Sequence, residues 1–258
     1  MSTVLNGAVG VDRDGALTIV TIDHPPVNAI SRAVIAGITE ALSDAEADAT
    51  CRALILTGAG PKFFAAGADI TEFGAAGGAV IAVGQELTLA MERSRLPIVG
   101  AINGIAFGGG CELSLACDVR IASTSARFGQ PEIKLGIIPG WGGTQRLPRL
   151  IGRSAAMELL FTGDPIDSAR ALELGLVSLV LEPETLLGAA RDMAGRFASQ
   201  APLAVAAIKR AVAEGLDRHL SEGLETERGE FVQLFASEDA KEGISAFLEK
   251  RTAAWTGR

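Results

Sequence analysis

A central stretch of the chain reads Gly104-Ile105-Ala106-Phe107-Gly108-Gly109-Gly110-Cys111-Glu112. It follows the apolar segment Pro97–Asn103, which predicts a strand, and it leads into a predicted helix. Glycine lets the backbone approach a ligand closely or adopt a positive φ, and a loop that enters a helix N-terminus presents free N–H groups. The stretch therefore predicts either an anion-binding loop or a tight turn that serves only packing.

Two further glycine-rich loops flank this stretch, and residues 58–143 hold 17 of the 31 glycines in the chain. The loops read Phe64-Ala65-Ala66-Gly67-Ala68-Asp69-Ile70 and Pro139-Gly140-Trp141-Gly142-Gly143-Thr144. No glycine is followed by lysine, as a P-loop requires, and Leu113 stands where a dinucleotide fingerprint from Gly108 needs glycine. A Gly-x-Ser-x-Gly elbow is also missing. The functional interpretation that remains is an oxyanion site in which backbone N–H groups of two loops stabilise an enolate-type charge.

Two carboxylates accompany the central loops. Glu112 follows the glycine run directly, and Glu132 lies in Phe128-Gly129-Gln130-Pro131-Glu132. A helix, a strand and a loop between them can return the chain to the same end of the molecule. Two carboxyl groups in one water-poor pocket separate their pKa values, which suits one acid and one base. The alternative is that both are ordinary acidic residues at helix N-termini.

The rest of the chain predicts an α/β fold. Ser31 is placed to cap a helix whose apolar residues recur at helical spacing from Val34 to Ala45. Short apolar strands separated by helices favour parallel pairing with both faces covered. The predicted strands are Ala16–Asp23, Ala53–Thr57, Pro97–Asn103, Asp118–Ser123 and Leu176–Leu181. Four helical patterns follow at Pro183–Ala198, Pro202–Leu216, His219–Phe235 and Glu238–Arg251. We therefore expect a core over residues 1–190 and a helical C-terminal region over residues 191–258, with a soft boundary.

Composition excludes several functional classes. The 258 residues carry a net charge of −8, which disfavours nucleic-acid binding. Three cysteines and two histidines without metal-ligand spacing predict no metal site and no disulfide framework. The longest uncharged central segment, residues 96–111, is too short and too rich in glycine to cross a membrane. The N-terminus lacks the features of a targeting segment, so we expect a cytoplasmic protein.

The three glycine-containing loops, together with Phe128–Glu132 and Ile137–Leu147, resemble the enoyl-CoA hydratase/isomerase (crotonase) superfamily. The resemblance extends from about Val11 to Arg251. It implies a spiral core of ββα turns, assembly into homotrimers or homohexamers, and acyl-CoA thioester substrates. It implies no cofactor, since coenzyme A is carried by the substrate.

The resemblance also implies roles for individual residues. The backbone N–H groups of Ala68 and Gly109 would form the oxyanion hole, and Glu112 and Glu132 would be catalytic. In the family the isomerases generally retain only the second glutamate, so the presence of both indicates the hydratase branch. Substrate contacts are expected from Ala66, Asp69, Ile70, Gly140, Lys62, Phe247 and Lys250. Lys62, or Lys250 of a neighbouring subunit, is a candidate for the CoA phosphates.

The implied reaction is addition of water across the C2=C3 bond of a trans-2-enoyl-CoA, giving a 3-hydroxyacyl-CoA, in fatty-acid β-oxidation or related acyl-CoA metabolism. One alternative is a Δ3–Δ2 enoyl-CoA isomerase or another acyl-CoA enzyme of the superfamily. An alternative from another class is a non-catalytic relative that binds acyl-CoA or RNA.

Overall fold

The computed structural model describes residues 3–72 and 77–258, in which two β-sheets are surrounded by helices. The strands are β1 Thr3–Leu5, β2 Val9–Asp14, β3 Leu17–Ile22, β4 Ala53–Gly58, β5 Phe63–Ala65, β6 Ile98–Ile102, β7 Ile105–Phe107, β8 Val119–Ser123, β9 Arg127–Gly129, β10 Ile166–Asp167 and β11 Leu179–Leu181. The helices are α1 Arg32–Ala47, α2 Gly77–Arg93, α3 Gly109–Leu115, α4 Gly143–Ile151, α5 Arg153–Thr162, α6 Ser168–Glu173, α7 Pro183–Ala198, α8 Pro202–Gly215, α9 Leu220–Phe235 and α10 Glu238–Glu249.

The larger sheet has the strand order β1-β2-β3-β4-β6-β8-β11. From β3 onward all neighbours are parallel, whereas β1, β2 and β3 pair antiparallel at one edge. Alternate side chains of β4 enter different apolar clusters: Leu54 and Leu56 pack on the side that includes α1, and Ile55 packs against α7. The central strands are therefore covered on both faces, as their continuous apolar sequences predict.

The smaller sheet has the order β10-β9-β7-β5, and β5, β7 and β9 are parallel. Each of these three strands follows a strand of the larger sheet and precedes a helix, which gives the successive units β4-β5-α2, β6-β7-α3 and β8-β9-α4. This repetition confirms the predicted ββα spiral. It also delivers three chain segments to one edge of the small sheet, because the carboxyl ends of parallel strands lie together.

Most predicted elements are confirmed within a residue or two. Ser31 caps α1, its Oγ accepting a hydrogen bond from the N–H of Val34 at 3.3 Å, and the four C-terminal helices occupy the predicted segments. The strand expected at Leu176–Leu181 is shorter, since only Leu179–Leu181 pairs with β8; the buried Leu176 and Val177 belong to the turn that follows α6.

The division at residue 190 stays a prediction. Helix α7 spans that position and packs on strands of the larger sheet, while residues 1–2 and 73–76 of the predicted core lie outside the described residues. Within the described parts of the chain, no helix is long and apolar enough to cross a membrane.

Candidate active site

The candidate site lies at the carboxyl ends of β5, β7 and β9. Ala66–Asp69 follows β5, Gly108 follows β7 and leads into α3, and Gln130–Glu132 follows β9. Because β7 lies between the other two strands, the glycine loop is central and its neighbours flank it on both sides. The three segments that carry the sequence motifs are thus brought to one edge of the small sheet.

Ala68 and Gly109 each offer a backbone N–H to this edge. Ile30 forms a parallel bridge in which its N–H donates to Gly67 O at 2.8 Å and its oxygen accepts from the N–H of Asp69 at 3.0 Å. The bridge leaves the Ala68 N–H directed away from Ile30. Gly109 is the first residue of α3, so its N–H has no intrahelical acceptor. In residues 3–72 and 77–258 no other acceptor takes either N–H, and both can donate to an anionic ligand oxygen.

Gly108 requires glycine for two separate reasons. Its φ of +51° is a conformation that side chains rarely adopt, and a Cβ at this position would lie 2.9 Å from Glu132 Oε1. The glycine therefore permits the turn from β7 into α3 and brings the backbone close to a carboxylate.

Glu112 lies in the first turn of α3 and is 2% exposed. Its Oε1 accepts hydrogen bonds from the backbone N–H groups of Trp141 and Gly143, both at 2.7 Å. Burial raises the pKa of Glu112, and these two N–H donors oppose the increase. The carboxylate is consequently held in one orientation by main-chain donors that favour its ionised form.

Glu132 stands in the short 3-10 helix Pro131–Leu135 and lines the same cavity as Glu112. Burial raises the pKa of Glu132 to about 7, and the charge of Glu112 adds to this increase. The buried Gln130 lies beside Glu132, and in the amide orientation that turns its nitrogen toward the carboxylate it donates to both oxygens at 3.2 Å. With a pKa near neutrality, Glu132 can give or take a proton at physiological pH.

Both glutamates line one cavity, whose empty space, with its open mouth included, is about 590 Å³. Its lining includes Ala66, Ala68, Ile70, Gly109 and Gly140, all predicted from the sequence, together with Ile81, Leu135, Ile137, Ile138 and Trp141. Among the described residues the wall is thus largely apolar, and its polar groups include two carboxylates and the N–H groups of Ala68 and Gly109. Such a cavity suits a ligand with an apolar chain and one oxygen that develops negative charge.

Four predicted contacts lie outside this lining. Asp69 directs its Oδ1 to Thr71, accepting from the backbone N–H at 3.0 Å and from the hydroxyl at 2.6 Å. Lys62 is exposed, with its Nζ 5.2 Å from the ring centroid of Phe63. Phe247 and Lys250 lie at the C-terminal end of α10, where Phe247 is 83% exposed. Their predicted roles in substrate binding remain predictions.

Three contributors to the site were not assigned a role from the sequence. Trp141 and Gly143 orient Glu112 through their backbone N–H groups, and Gln130 faces Glu132. All three lie inside the quoted motifs, but the motifs do not reveal which backbone group points at which carboxylate. Ile81 of α2 also lines the cavity, in a segment with no recognisable motif.

Comparison with known proteins identifies the same family. The family model for enoyl-CoA hydratase/isomerase matches residues 12–258. The chain is 42% identical to the crotonyl-CoA hydratase of Syntrophomonas wolfei over 94% of its own length and 95% of that protein. It is 40% identical to the short-chain-enoyl-CoA hydratase of Clostridium acetobutylicum, with 96% of each chain covered.

A solved structure agrees with these sequence comparisons. The enoyl-CoA hydratase of Bacillus anthracis superimposes with a TM-score of 0.94 at 38% identity, covering 97% of this chain and 100% of that one. The ββα spiral, the four motifs in order and the family match over residues 12–258 agree with one another. This chain belongs to the enoyl-CoA hydratase/isomerase family.

Proposed function

We propose that this protein is an enoyl-CoA hydratase that adds water across the C2=C3 bond of trans-2-enoyl-CoA thioesters to give 3-hydroxyacyl-CoA. The observation that carries the proposal is that Glu112 and Glu132 line one cavity together with the backbone of Ala68 and Gly109. Relatives at about 40% identity over nearly the whole chain, described as crotonyl-CoA and short-chain-enoyl-CoA hydratases, support it.

In the proposed mechanism the two glutamates hold one water molecule between them. Glu112, ionised and oriented by the N–H groups of Trp141 and Gly143, accepts a proton from the water as its oxygen bonds to C3. Glu132 gives its proton to C2. The pair therefore carries one proton before and after the reaction: Glu132 loses its proton to C2, and Glu112 gains the proton that the water gives up.

The thioester oxygen gains negative charge as the enolate forms. The N–H groups of Ala68 and Gly109 are placed to donate to that oxygen, and loss of one such donor typically raises a barrier by about 3–4 kcal/mol. Because both donors belong to the backbone, they are positioned before substrate binds.

The test is a direct assay of the purified protein. Addition of the protein to crotonyl-CoA should lower the absorbance of the enoyl thioester until equilibrium is reached, and water labelled with heavy oxygen should place the label at C3. An isomerase would instead convert a 3-enoyl-CoA into a 2-enoyl-CoA without incorporating label. Label-free conversion, or tight RNA binding at low salt without turnover, would contradict the proposal.

We infer that the active assembly is a homotrimer or a homohexamer. Phe231, Phe235 and Phe247, on α9 and α10, are strongly exposed, as expected of side chains that a neighbouring subunit covers. In such an assembly Phe247 and Lys250 of a neighbour, or Lys62 of the same chain, would contact the CoA moiety. Light scattering of the purified protein tests this, and a monomer at micromolar concentration would exclude it.

We also infer that the reaction needs no cofactor beyond the CoA carried by its substrate, and that the protein works in the cytoplasm. The first inference predicts full activity after dialysis against a chelator. A lasting loss of activity that added metal restores would refute it. Imaging of a tagged chain in its native cell would test the second.

A further inference from the structure

The indole of Trp141 fills a space that two glycines leave open. A Cβ on Gly109 would lie 2.5 Å from Cζ3 of the ring, and a Cβ on Gly84 would overlap Cε2. Gly109 begins α3 and Gly84 lies in α2, so the ring is clamped between the two helices. Trp141 is 3% exposed, which shows how completely the clamp encloses it.

The cavity has an open end and a closed end. Three of the lining side chains, Ile70, Leu135 and Ile138, are 63%, 60% and 69% exposed, and we infer that they mark the entrance. Glu112 and Trp141 line the same cavity and are almost wholly buried, so we infer that they mark its closed end. A thioester that enters past the exposed side chains and places C3 beside Glu112 directs its remaining carbons toward Trp141.

A second groove lies behind this closed end. The groove is open to solvent, and its lining includes Gln85, Thr88, Leu89 and Glu92 of α2 and Arg146 of α4. Of the residues that the structure describes, Trp141 alone lines both this groove and the active-site cavity.

Hydrogen bonds to α2 and α4 fix the backbone that carries the indole. Trp141 O accepts from Arg146 Nη1 at 2.7 Å and from Thr88 Oγ1 at 3.2 Å. Gln85 Nε2 donates to Gly140 O at 2.7 Å. Arg146 is itself held by Glu92 through two bonds of 2.6 and 2.8 Å. The ring therefore has little freedom to turn out of the way of a long acyl chain.

We propose that Trp141 is a specificity-determining residue that closes the acyl end of the cavity and restricts the enzyme to short 2-enoyl chains. This inference rests on the proposed hydratase function, which places the reacting carbons at Glu112. The substrate class it assigns is short, unbranched 2-enoyl thioesters, of which crotonyl-CoA is the simplest.

The experiment compares kcat/KM for crotonyl-CoA and trans-2-decenoyl-CoA in the wild type and in Trp141→Ala, with Trp141→Leu as an intermediate. The decenoyl-to-crotonyl ratio should be far below one in the wild type. It should rise roughly tenfold or more in Trp141→Ala, since each methylene admitted to an apolar pocket changes discrimination by about that factor. Trp255→Phe is the matched control, because Trp255 packs near Gly243 and donates to Ser199 O, and it should leave the ratio unchanged.

Gly84→Ala gives a second test that does not remove the aromatic ring. A methyl group there pushes the indole toward the cavity, so kcat/KM for crotonyl-CoA should fall in the wild-type background and change little in Trp141→Ala. An unchanged chain-length ratio in Trp141→Ala and Trp141→Leu, or equal use of both substrates by the wild type, would overturn the inference.

A wild type that does not hydrate crotonyl-CoA would instead overturn the proposed function. In that case calorimetry can still test whether Trp141 limits the length of the acyl chain, by measuring the affinities of saturated acyl-CoA ligands. Decanoyl-CoA should bind more tightly, relative to butyryl-CoA, in Trp141→Ala than in the wild type. No change in relative affinity would refute the role of Trp141 independently of turnover.

Discussion

The carboxylate of Glu112 and the backbone N–H of Trp141 form a 2.7 Å hydrogen bond across the closed end of the cavity. The N–H of Gly143 donates to the same oxygen, so Oε1 is occupied by two main-chain donors. Oε2 then remains to receive a water molecule. One loop thus sets the orientation of the proposed base.

Replacing either glutamate by glutamine should nearly abolish hydration of crotonyl-CoA. Glutamine keeps the shape but can neither accept the proton of water nor supply one to C2, so kcat should fall by about 10²–10⁴ in each variant. The measurement is enoyl absorbance under saturating substrate, with Glu173→Gln as a surface control. Activity within tenfold of the wild type in Glu112→Gln or Glu132→Gln would contradict the scheme of two catalytic glutamates.

Hydration should slow as the pH rises through about 7. Burial raises the pKa of Glu132 to about 7, and above that value the pair loses the proton destined for C2. A profile of kcat/KM against pH checks this. A rate that stays flat to pH 9 would show that Glu132 is not the proton donor.

Glu132→Gln should stabilise the fold more at pH 8 than at pH 5. The folded-state pKa of Glu132 lies above its ordinary 4.5, so the wild type loses stability as the pH rises from about 4.5 through 7. Glutamine does not titrate. At pH 8 the variant should be more stable than the wild type by roughly 1–2 kcal/mol. This is less than the whole pKa shift would give, because the Glu132 carboxylate is partly exposed and solvent screens it. Urea unfolding at both pH values measures it, and an equal effect at both would exclude the raised pKa.

Gly108→Ala should lose activity that Gly15→Ala retains. Both glycines have positive φ, +51° and +59°, so each alanine costs about 1–3 kcal/mol of backbone strain. Only the Cβ at residue 108 meets Glu132, whereas nothing lies within 4 Å of a Cβ at residue 15. Both variants should lose stability, and only Gly108→Ala should also lose most of its kcat. Equal kcat values would show that the contact with Glu132 is unimportant.

Lys209→Met should destabilise the fold by about 2 kcal/mol. Lys209 Nζ lies 2.8 Å from Asp118 Oδ2 and also donates to Met91 O and Leu96 O, which fastens α8 to the core. Removing it leaves the partly exposed Asp118 carboxylate without its cation and two main-chain oxygens without their donor. Lys134→Met, which breaks the exposed pair with Asp164, should change stability by less than about 1 kcal/mol. Equal losses in urea unfolding would contradict this account.

The larger sheet could be predicted from the sequence because its central strands are long enough to show a pattern. Leu54, Ile55 and Leu56 are consecutive apolar residues, as expected of a strand buried on both faces. The sequence does not predict the small sheet strand by strand. Its strands β5, β7 and β9 have only three residues each, which is too few to show the alternation of apolar and polar residues that predicts a strand. Each also adjoins a glycine-containing loop, so the sequence pattern there indicates a loop.

For the site, the sequence identified the glutamates and the glycine loops but not their mutual contacts. The N–H groups of Trp141 and Gly143 reach Glu112 because α3 packs against α4. The sequence alone does not report that packing. The position of Trp141 against Gly84 likewise pairs residues from distant segments, and no local pattern reports it. A sequence shows which residues carry reactive side chains. It does not show which backbone N–H groups point at them, because that depends on the tertiary structure.

The placement of Ala68 and Gly109 at the ends of parallel strands has an evolutionary consequence. Their N–H groups belong to the main chain, so neither donor depends on a particular side-chain group, although a Cβ at residue 109 would have to displace the Trp141 ring. Proline at either position would remove the donor itself. The carboxylates at 112 and 132 are side chains and change with a single codon. A descendant of this chain can therefore replace the groups that transfer protons and still keep the two N–H donors that stabilise an enolate. The reaction catalysed is thus easier to change than the fold that supports it.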